Sequence, residues 1–190
     1  MTATNSAENT FNIHQYNLRM KTRALIEAKT MGQARLTDAQ HAVIASICEW
    51  LCGGLKQKSG ILLIGDIGTG KTTIMQATVA YYSFLKAIVI PEYHADMLPG
   101  EIKKRGIDYF YKRPIFFDDL GKEPPETIVF GQRYDTWVDI FSIRYEFRAK
   151  TFATGNYHLA SYAELYGKVT ADRMGEHFNI FSISGESHRK

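Results

Sequence analysis

The sequence predicts an α/β fold built on a mainly parallel five-stranded sheet sandwiched by helices. Three observations carry this. Short apolar runs alternate along the chain with longer helical patterns, as they do when parallel strands are joined by crossover helices. Those runs are near-continuously apolar rather than alternating, which suits strands covered on both faces. The chain is also long enough, at 190 residues with 45% hydrophobic and 13% aromatic residues, to bury such a sheet in one domain.

In chain order, residues 1–35 have a polar start and weak periodicity. They are expected to form an arm that is flexible or partly helical, with a possible helix around Asn17–Thr30. Thr37 and Gln40 fit a capping box, and Val43, Ile47, Trp50 and Leu51 then share a helical face that Gly53-Gly54 closes. Gly60–Gly65 is a buried strand bounded by glycine, followed by a helix over 71–85 with Ile74, Met75, Val79 and Tyr82 inward. Ala87–Pro91 is the second expected strand, Pro114–Phe117 the third, Thr151–Thr154 the fourth and Asn179–Ser184 the fifth. Trp137, Ile140, Phe141 and Arg144 mark a helix between the third and the fourth.

Composition excludes several classes. Two cysteines cannot staple a chain of this length. Cys48 and Cys52 lack further ligands at metal spacing and are expected as buried small hydrophobes. No apolar run approaches the roughly 20 residues of a membrane helix, and the start lacks a signal-peptide pattern, so the expected location is cytoplasmic. The net charge of +3 is uninformative as a total but unevenly spread. Residues 1–35 sum to +3, residues 101–113 to +3, and residues 114–143 to −4.

The chemistry is concentrated in two places. Gly65-Asp66-Ile67-Gly68-Thr69-Gly70-Lys71-Thr72 matches the G-x-x-x-x-G-K-[ST] phosphate loop at every fixed position, between a strand and a helix. Glycines let backbone N–H groups approach phosphates, and the helix start adds the positive end of its dipole. Lys71 is expected on the β- and γ-phosphates and the Thr72 hydroxyl on Mg²⁺, with Thr73 completing the loop. The second place is Phe117-Asp118-Asp119, an apolar strand ending in acid. Asp118 is expected to hold Mg²⁺ and Asp119 to orient or deprotonate the attacking water. The expected strand at Ala87–Pro91 falls between the two motifs in the chain. That suits the ATPase branch, in which a strand sits between the two motif strands. Glu123 and Glu126 are expected on a solvated face.

The runs Gly60–Thr72, Ile115–Gly121, Ser142–Glu146, Thr151–Asn156 and Ala171–Met174, in this order, resemble the DnaC/DnaI/IstB-like AAA+ ATPases, which are replicative helicase loaders and transposition ATP-binding proteins. The resemblance covers residues 36–190. It implies a P-loop NTPase fold of the AAA+ (ASCE) type without a C-terminal lid domain, with ATP and Mg²⁺ as cofactors. It also implies Asn156 as the sensor-1 residue on the γ-phosphate or attacking water. Arg173 matches the arginine finger, which reaches a neighbouring subunit, so homo-oligomers are implied. Arg144 matches a recurrent family arginine. Where the family's usual triplet is T-S-N, this chain has Thr154-Gly155-Asn156. The implied partner is a replicative helicase or, in the IstB-like alternative, a transposase. A small-molecule P-loop kinase and a non-hydrolysing ATP-gated module are the remaining alternatives.

Lys103, Lys104, Arg105, Lys112 and Arg113 interleave with Tyr109, Phe110 and Tyr111. Cations for the backbone and aromatic rings for the bases make a candidate single-stranded DNA surface. A solvated basic helix followed by half-buried aromatics is the equally weighted alternative.

Overall fold

The computed structural model describes Glu27, residues 36–53 and residues 57–185. The expected helix at Asn17–Thr30 lies outside these residues except for Glu27, whose carboxylate is 2.8 Å from His41 Nδ1. The elements are α1 (Asp38–Leu51), β1 (Gly60–Gly65), α2 (Lys71–Lys86), β2 (Glu92–His94), α3 (Leu98–Arg105), β3 (Ile115–Leu120), β4 (Glu126–Val129), β5 (Gln132–Asp135), α4 (Thr136–Glu146), β6 (Thr151–Gly155), α5 (Leu159–Tyr166), α6 (Lys168–His177) and β7 (Phe178–Ile183). Short 3₁₀ turns at Ala95–Met97 and Ile107–Phe110 flank α3. No helix among the described residues is long and apolar enough to cross a membrane.

Five strands form a parallel sheet in the order β2-β3-β6-β1-β7. The fold expected from the apolar runs is therefore present, with two corrections. The second strand does not form at Ala87–Pro91. Ala87 closes α2 at φ 52°, Val89 is exposed, and the ladder starts where the Pro91 carbonyl accepts the Phe116 N–H at 3.0 Å. Pro91 has no N–H of its own to give to a ladder, so the strand runs over Glu92–His94. That strand also lies at the sheet edge. The strand between the two motif strands in space is β6.

Side chains alternate across the sheet. Ile61, Leu63, Phe116, Phe152 and Ile183 face α1 and α2, where Trp50, Ile44, Ile47, Ile74 and Met75 pack on them. Leu62, Ile64, Phe117, Ala153 and Phe178 face α3, α4 and α5, against Ile102, Trp137, Phe141 and Tyr162. Both faces are covered, which is why the strands carry continuous apolar runs. Cys48 is buried in the first of these cores and Cys52 is half-buried, and neither is in a disulfide.

Arg144 has a structural role. It is fully buried on α4. Its guanidinium donates to the carbonyls of Phe110 (2.5 Å), Arg113 (3.1 Å) and Lys150 (2.6 Å) and to the Thr151 hydroxyl (3.1 Å). Burial lowers its pKa to about 9, so it stays charged at neutral pH. It ties the chain entering β3 to the chain entering β6.

The antiparallel hairpin β4–β5 lies outside the main sheet and is absent from the sequence expectation. Phe130 and Gly131 form its turn with φ 49° and 81°, the sign a two-residue hairpin turn of type I′ requires.

Candidate nucleotide site

The site forms at the carboxyl-terminal edge of the sheet, where β1, β3 and β6 end. This is where ligands bind in open α/β sheets. The loop after β1 turns into α2 through Gly68 and Gly70, both at φ 85°. Such a backbone strongly favours glycine. No side chain caps the first turn of α2, so its N-terminal N–H groups are left to an anion. Lys71 is buried, and its ammonium donates to the loop's own Gly65 and Asp66 carbonyls at 2.9 and 2.6 Å.

Across from the loop stand the two acids. The Thr72 hydroxyl donates to Asp118 Oδ1 at 2.9 Å, so the two residues expected to share Mg²⁺ are side by side. A hydroxyl and a carboxylate are hard oxygen donors of the kind Mg²⁺ takes. Asp119 has φ 62°, and the β3–β6 register shifts between Phe117 and Leu120. This bulge lets two consecutive acids be used on one edge. The Asn156 amide donates to Asp119 Oδ1 at 3.0 Å, and the Lys122 ammonium to Asp119 Oδ2 at 2.5 Å. Partial burial works to raise the Asp119 pKa, but Lys122, the Asn156 amide and the charge of Lys71 outweigh it, so the carboxyl sits below its ordinary value.

Ile67, Gly68, Gly70, Lys71, Thr72, Thr73, Asp119, Lys122 and Asn156 line one cavity of about 260 Å³. The structure thus brings together the loop, Asp119 and Asn156, with Asp118 behind Thr72. A larger cavity of about 550 Å³ lies at the opposite edge, among Lys58, Tyr145, Arg148, Lys150 and Glu176. Neither the phosphate loop nor Asp118, Asp119 or Asn156 lines it.

Other candidates lie elsewhere. Arg173 is about one turn from the end of α6, and its guanidinium is 5.3 Å from the Tyr145 ring centre at the end of α4. Both helices end where β7 and β6 begin, at the amino-terminal edge, so Arg173 does not reach the phosphate loop of its own chain. In the basic aromatic segment, Lys104 and Arg105 pair with Glu101 at 2.7 and 2.9 Å. The Tyr109 ring is already covered by Arg113 at 3.6 Å and Arg105 at 4.9 Å, and Lys112 lies 3.8 Å over Phe147. Phe110 is fully buried. Lys103 is exposed on α3.

Three residues at the site were not expected from sequence. Thr154 accepts the Asp119 N–H at 2.9 Å and donates to Asp118 Oδ1 at 2.5 Å. Lys122 pairs with Asp119. Gln40 completes the expected capping box with Thr37 and also donates its amide to the Thr69 carbonyl at 2.9 Å, which braces the phosphate loop. The expectation for Glu123 is corrected. It is buried and accepts from the Gly121 N–H at 2.9 Å and from the Tyr166 hydroxyl. Desolvation raises its pKa against these bonds. Glu126 is exposed and pairs with Arg133.

The departure at position 155 has a steric cause. A Cβ on Gly155 would lie 1.8 Å from the Tyr162 hydroxyl and 3.4 Å from the Leu120 carbonyl oxygen. Tyr162 fills the space that a serine would need.

No protein-family model matches this chain, and no curated protein matches it. Solved structures do. The crystal structure of the DnaC helicase loader aligns at a TM-score of 0.64 and 18% identity, over 83% of this chain and 98% of that one. DnaI aligns at 0.63 and 20% identity, over 89% of this chain and 100% of that one. AMPPCP-bound DnaA from Aquifex aeolicus aligns at 0.56 and 18% identity, over 82% of this chain and 50% of that one. The α/β sheet, its strand order and these alignments together establish that the chain has the fold seen in the solved structures of the DnaC helicase loader and of DnaI.

Proposed function

We propose that the chain binds ATP with Mg²⁺ and hydrolyses it, and that it acts as a DnaC-like replicative helicase loader. The observation that carries the reading is the pairing of Thr72 with Asp118 and of Asn156 with Asp119 around the cavity of the phosphate loop. The loop N–H groups and Lys71 hold the phosphates. Thr72 and Asp118 hold Mg²⁺, which supplies neutralisation of the developing phosphate charge. Asp119, ionised at neutral pH, orients water and takes its proton, while Asn156 fixes the carboxylate plane. Lys122 engages the second carboxylate oxygen, and this contact gives way for water to be held there.

The remoteness of Arg173 from its own loop supports a finger acting in trans. Assembly of subunits then completes the site. The similarity to DnaC and DnaI favours a helicase as partner over a transposase. Among the neighbours, a DnaA was solved with AMPPCP and single-stranded DNA. DNA binding by Lys103, Lys104, Arg105, Tyr109, Lys112 and Arg113 belongs to the same proposal.

The test is ATP turnover with and without single-stranded DNA, as protein concentration is varied. Lys71→Ala is expected to lose nucleotide binding. Asp119→Asn is expected to bind with turnover reduced about 100-fold or more. Arg173→Ala is expected to bind normally and lose concentration-dependent turnover. Turnover indifferent to concentration and to Arg173 overturns the assembly reading. Binding without turnover under every condition overturns hydrolysis. Oligonucleotide affinity that is insensitive to salt and to Lys103/Lys104/Arg105→Ala overturns the DNA surface.

A further inference from the structure

The edge strand β2 carries two side chains, Glu92 and His94, that the nucleotide reading does not use. Glu92 and His94 are two residues apart and so share a face of the strand. The parallel register puts His94 opposite Asp118 and Glu92 opposite Phe116. Phe116 packs with the α1 and α2 core, so this face looks toward α2. There Thr72 and Gln76, one helical turn apart, meet it. Thr72 donates to Asp118, and the Gln76 amide donates to Glu92 Oε1 at 2.9 Å.

The two oxygens of Asp118 are divided between two surroundings. Oδ1 accepts the hydroxyls of Thr72 and Thr154. Oδ2 faces His94 Nδ1 at 3.3 Å. One ligand atom each from Glu92, His94 and Asp118 lies within 4.8 Å of the others. Tetrahedral ligands around one ion, each at about 2.0–2.2 Å, lie roughly 3.3–3.6 Å from one another. Glu92 and His94 are exposed, so small side-chain rotations close the remaining gap, while buried Asp118 stays fixed by its two hydroxyl donors.

We propose that Glu92, His94 and Asp118 form a second divalent-cation site, distinct from the Thr72 side of Asp118 and selective for a first-row transition ion such as Zn²⁺ or Mn²⁺. The selectivity follows from the imidazole. Carboxylates alone suit Mg²⁺, but a neutral ring nitrogen suits Zn²⁺ and its neighbours, for which Mg²⁺ is a poor substitute. With the ion bound, Asp118 bridges the edge strand and the phosphate loop, since its other oxygen still faces Thr72. Glu92 would be held by the ion and by Gln76 together, as outer partners commonly orient ligating carboxylates. The proposal rests on these side chains and holds whether or not the chain hydrolyses ATP.

The test uses the full chain, stripped with chelator and free of nucleotide. Co²⁺ is the spectroscopic probe, and Zn²⁺ and Mn²⁺ are titrated calorimetrically with excess Mg²⁺ present. One transition ion per chain is expected, with a cobalt absorption band that Zn²⁺ abolishes and Mg²⁺ does not. His94→Ala and Glu92→Gln are each expected to weaken this binding at least tenfold. Both side chains are exposed, so thermal unfolding without metal should be unchanged, which separates lost ligation from lost folding. Lys71→Ala should leave the ion bound. Binding retained in His94→Ala overturns the proposal, because the ion then sits elsewhere. So does equal competition by Mg²⁺ or the absence of any cobalt band.

Discussion

The Thr154 hydroxyl donates to the Asp118 carboxylate at 2.5 Å and accepts the Asp119 N–H at 2.9 Å. One side chain on β6 therefore fixes both acids on β3. It can do so because a hydroxyl has one proton to give and lone pairs to receive, and because β6 is the direct neighbour of β3 in the sheet. Asn156, two residues further on, reaches Asp119 from the same strand end. The insertion of β6 between the two motif strands thus supplies one partner to both acids and a second to Asp119, beside Thr72 and Lys122.

Thr154→Val removes that hydroxyl at nearly constant volume. Asp118 is almost fully buried and loses a hydrogen bond that involves a charged group, which is worth about 1.5–3 kcal/mol. Denaturant unfolding should show a loss of that size at unchanged slope. Turnover should fall more than nucleotide affinity, because the phosphate loop itself is untouched.

Gly155→Ser tests the close approach of Tyr162. The serine Cβ would lie 1.8 Å from the tyrosine oxygen, so either the backbone or the ring must move. Overpacking of this kind costs about 1–3 kcal/mol. Tyr162→Phe removes the clashing atom, and its own loss is small because that hydroxyl makes only a 3.5 Å contact with the Leu120 carbonyl. The double variant should be more stable than the sum of the singles by about 1 kcal/mol or more in a thermodynamic cycle. Additive losses would mean that the glycine is not there to admit the tyrosine.

Much of this was legible in the sequence, for stateable reasons. The phosphate loop and the β3 acids carry their chemistry in consecutive residues, so spacing alone places them. Both-face burial writes itself as apolar runs, and these located β1, β3, β6 and β7. The second strand differs from the expectation because Ala87–Ile90 is apolar, whereas the residues that pair, Glu92–His94, are edge residues with no apolar run to mark them. The β4–β5 hairpin has no local signature, because its turn is Phe130-Gly131 and not one of the asparagine or aspartate pairs that usually announce such turns. Thr154, Lys122 and Gln40 act across the fold, and nothing local marks a threonine as the partner of an aspartate on another strand. Arg144 stands out in the sequence only through the resemblance, and packing alone shows that it serves three carbonyls.

Arg144→Met should therefore act on folding and leave the chemistry alone. It leaves the buried Phe110 carbonyl without this donor and removes one donor each from the part-buried Arg113 and Lys150 carbonyls, where an unpaired buried polar group costs about 1–3 kcal/mol. The expected result is a loss of several kcal/mol, or failure to fold at 37 °C. Arg144→Lys should recover only part, since one ammonium cannot reproduce the guanidinium fork. Both can be read by thermal unfolding.

The same corner contains a pH-sensitive group. His177 is buried at the end of α6, 3.1 Å from the Thr151 hydroxyl and edge-on to Phe141. Desolvation, followed by the charge of Arg144, lowers its pKa from 6.5 to about 4. Lys150 adds to this, and a bond at the Ala149 backbone opposes it. A histidine that resists protonation when folded but takes a proton near pH 6.5 when unfolded makes the unfolded state bind more protons between those values. Stability from this group is therefore complete above about pH 6.5 and is lost as pH falls toward 4, by up to about 3 kcal/mol. Carboxylates titrate over the lower part of the same range, so the wild-type curve alone does not isolate it. The difference between wild type and His177→Gln does. Glutamine keeps a donor for Thr151 and cannot be charged. The variant should be less stable than wild type at pH 7.5, where its looser packing dominates, and that gap should narrow steadily between pH 6.5 and 4. A gap independent of pH would mean that His177 titrates alike in the folded and unfolded chain.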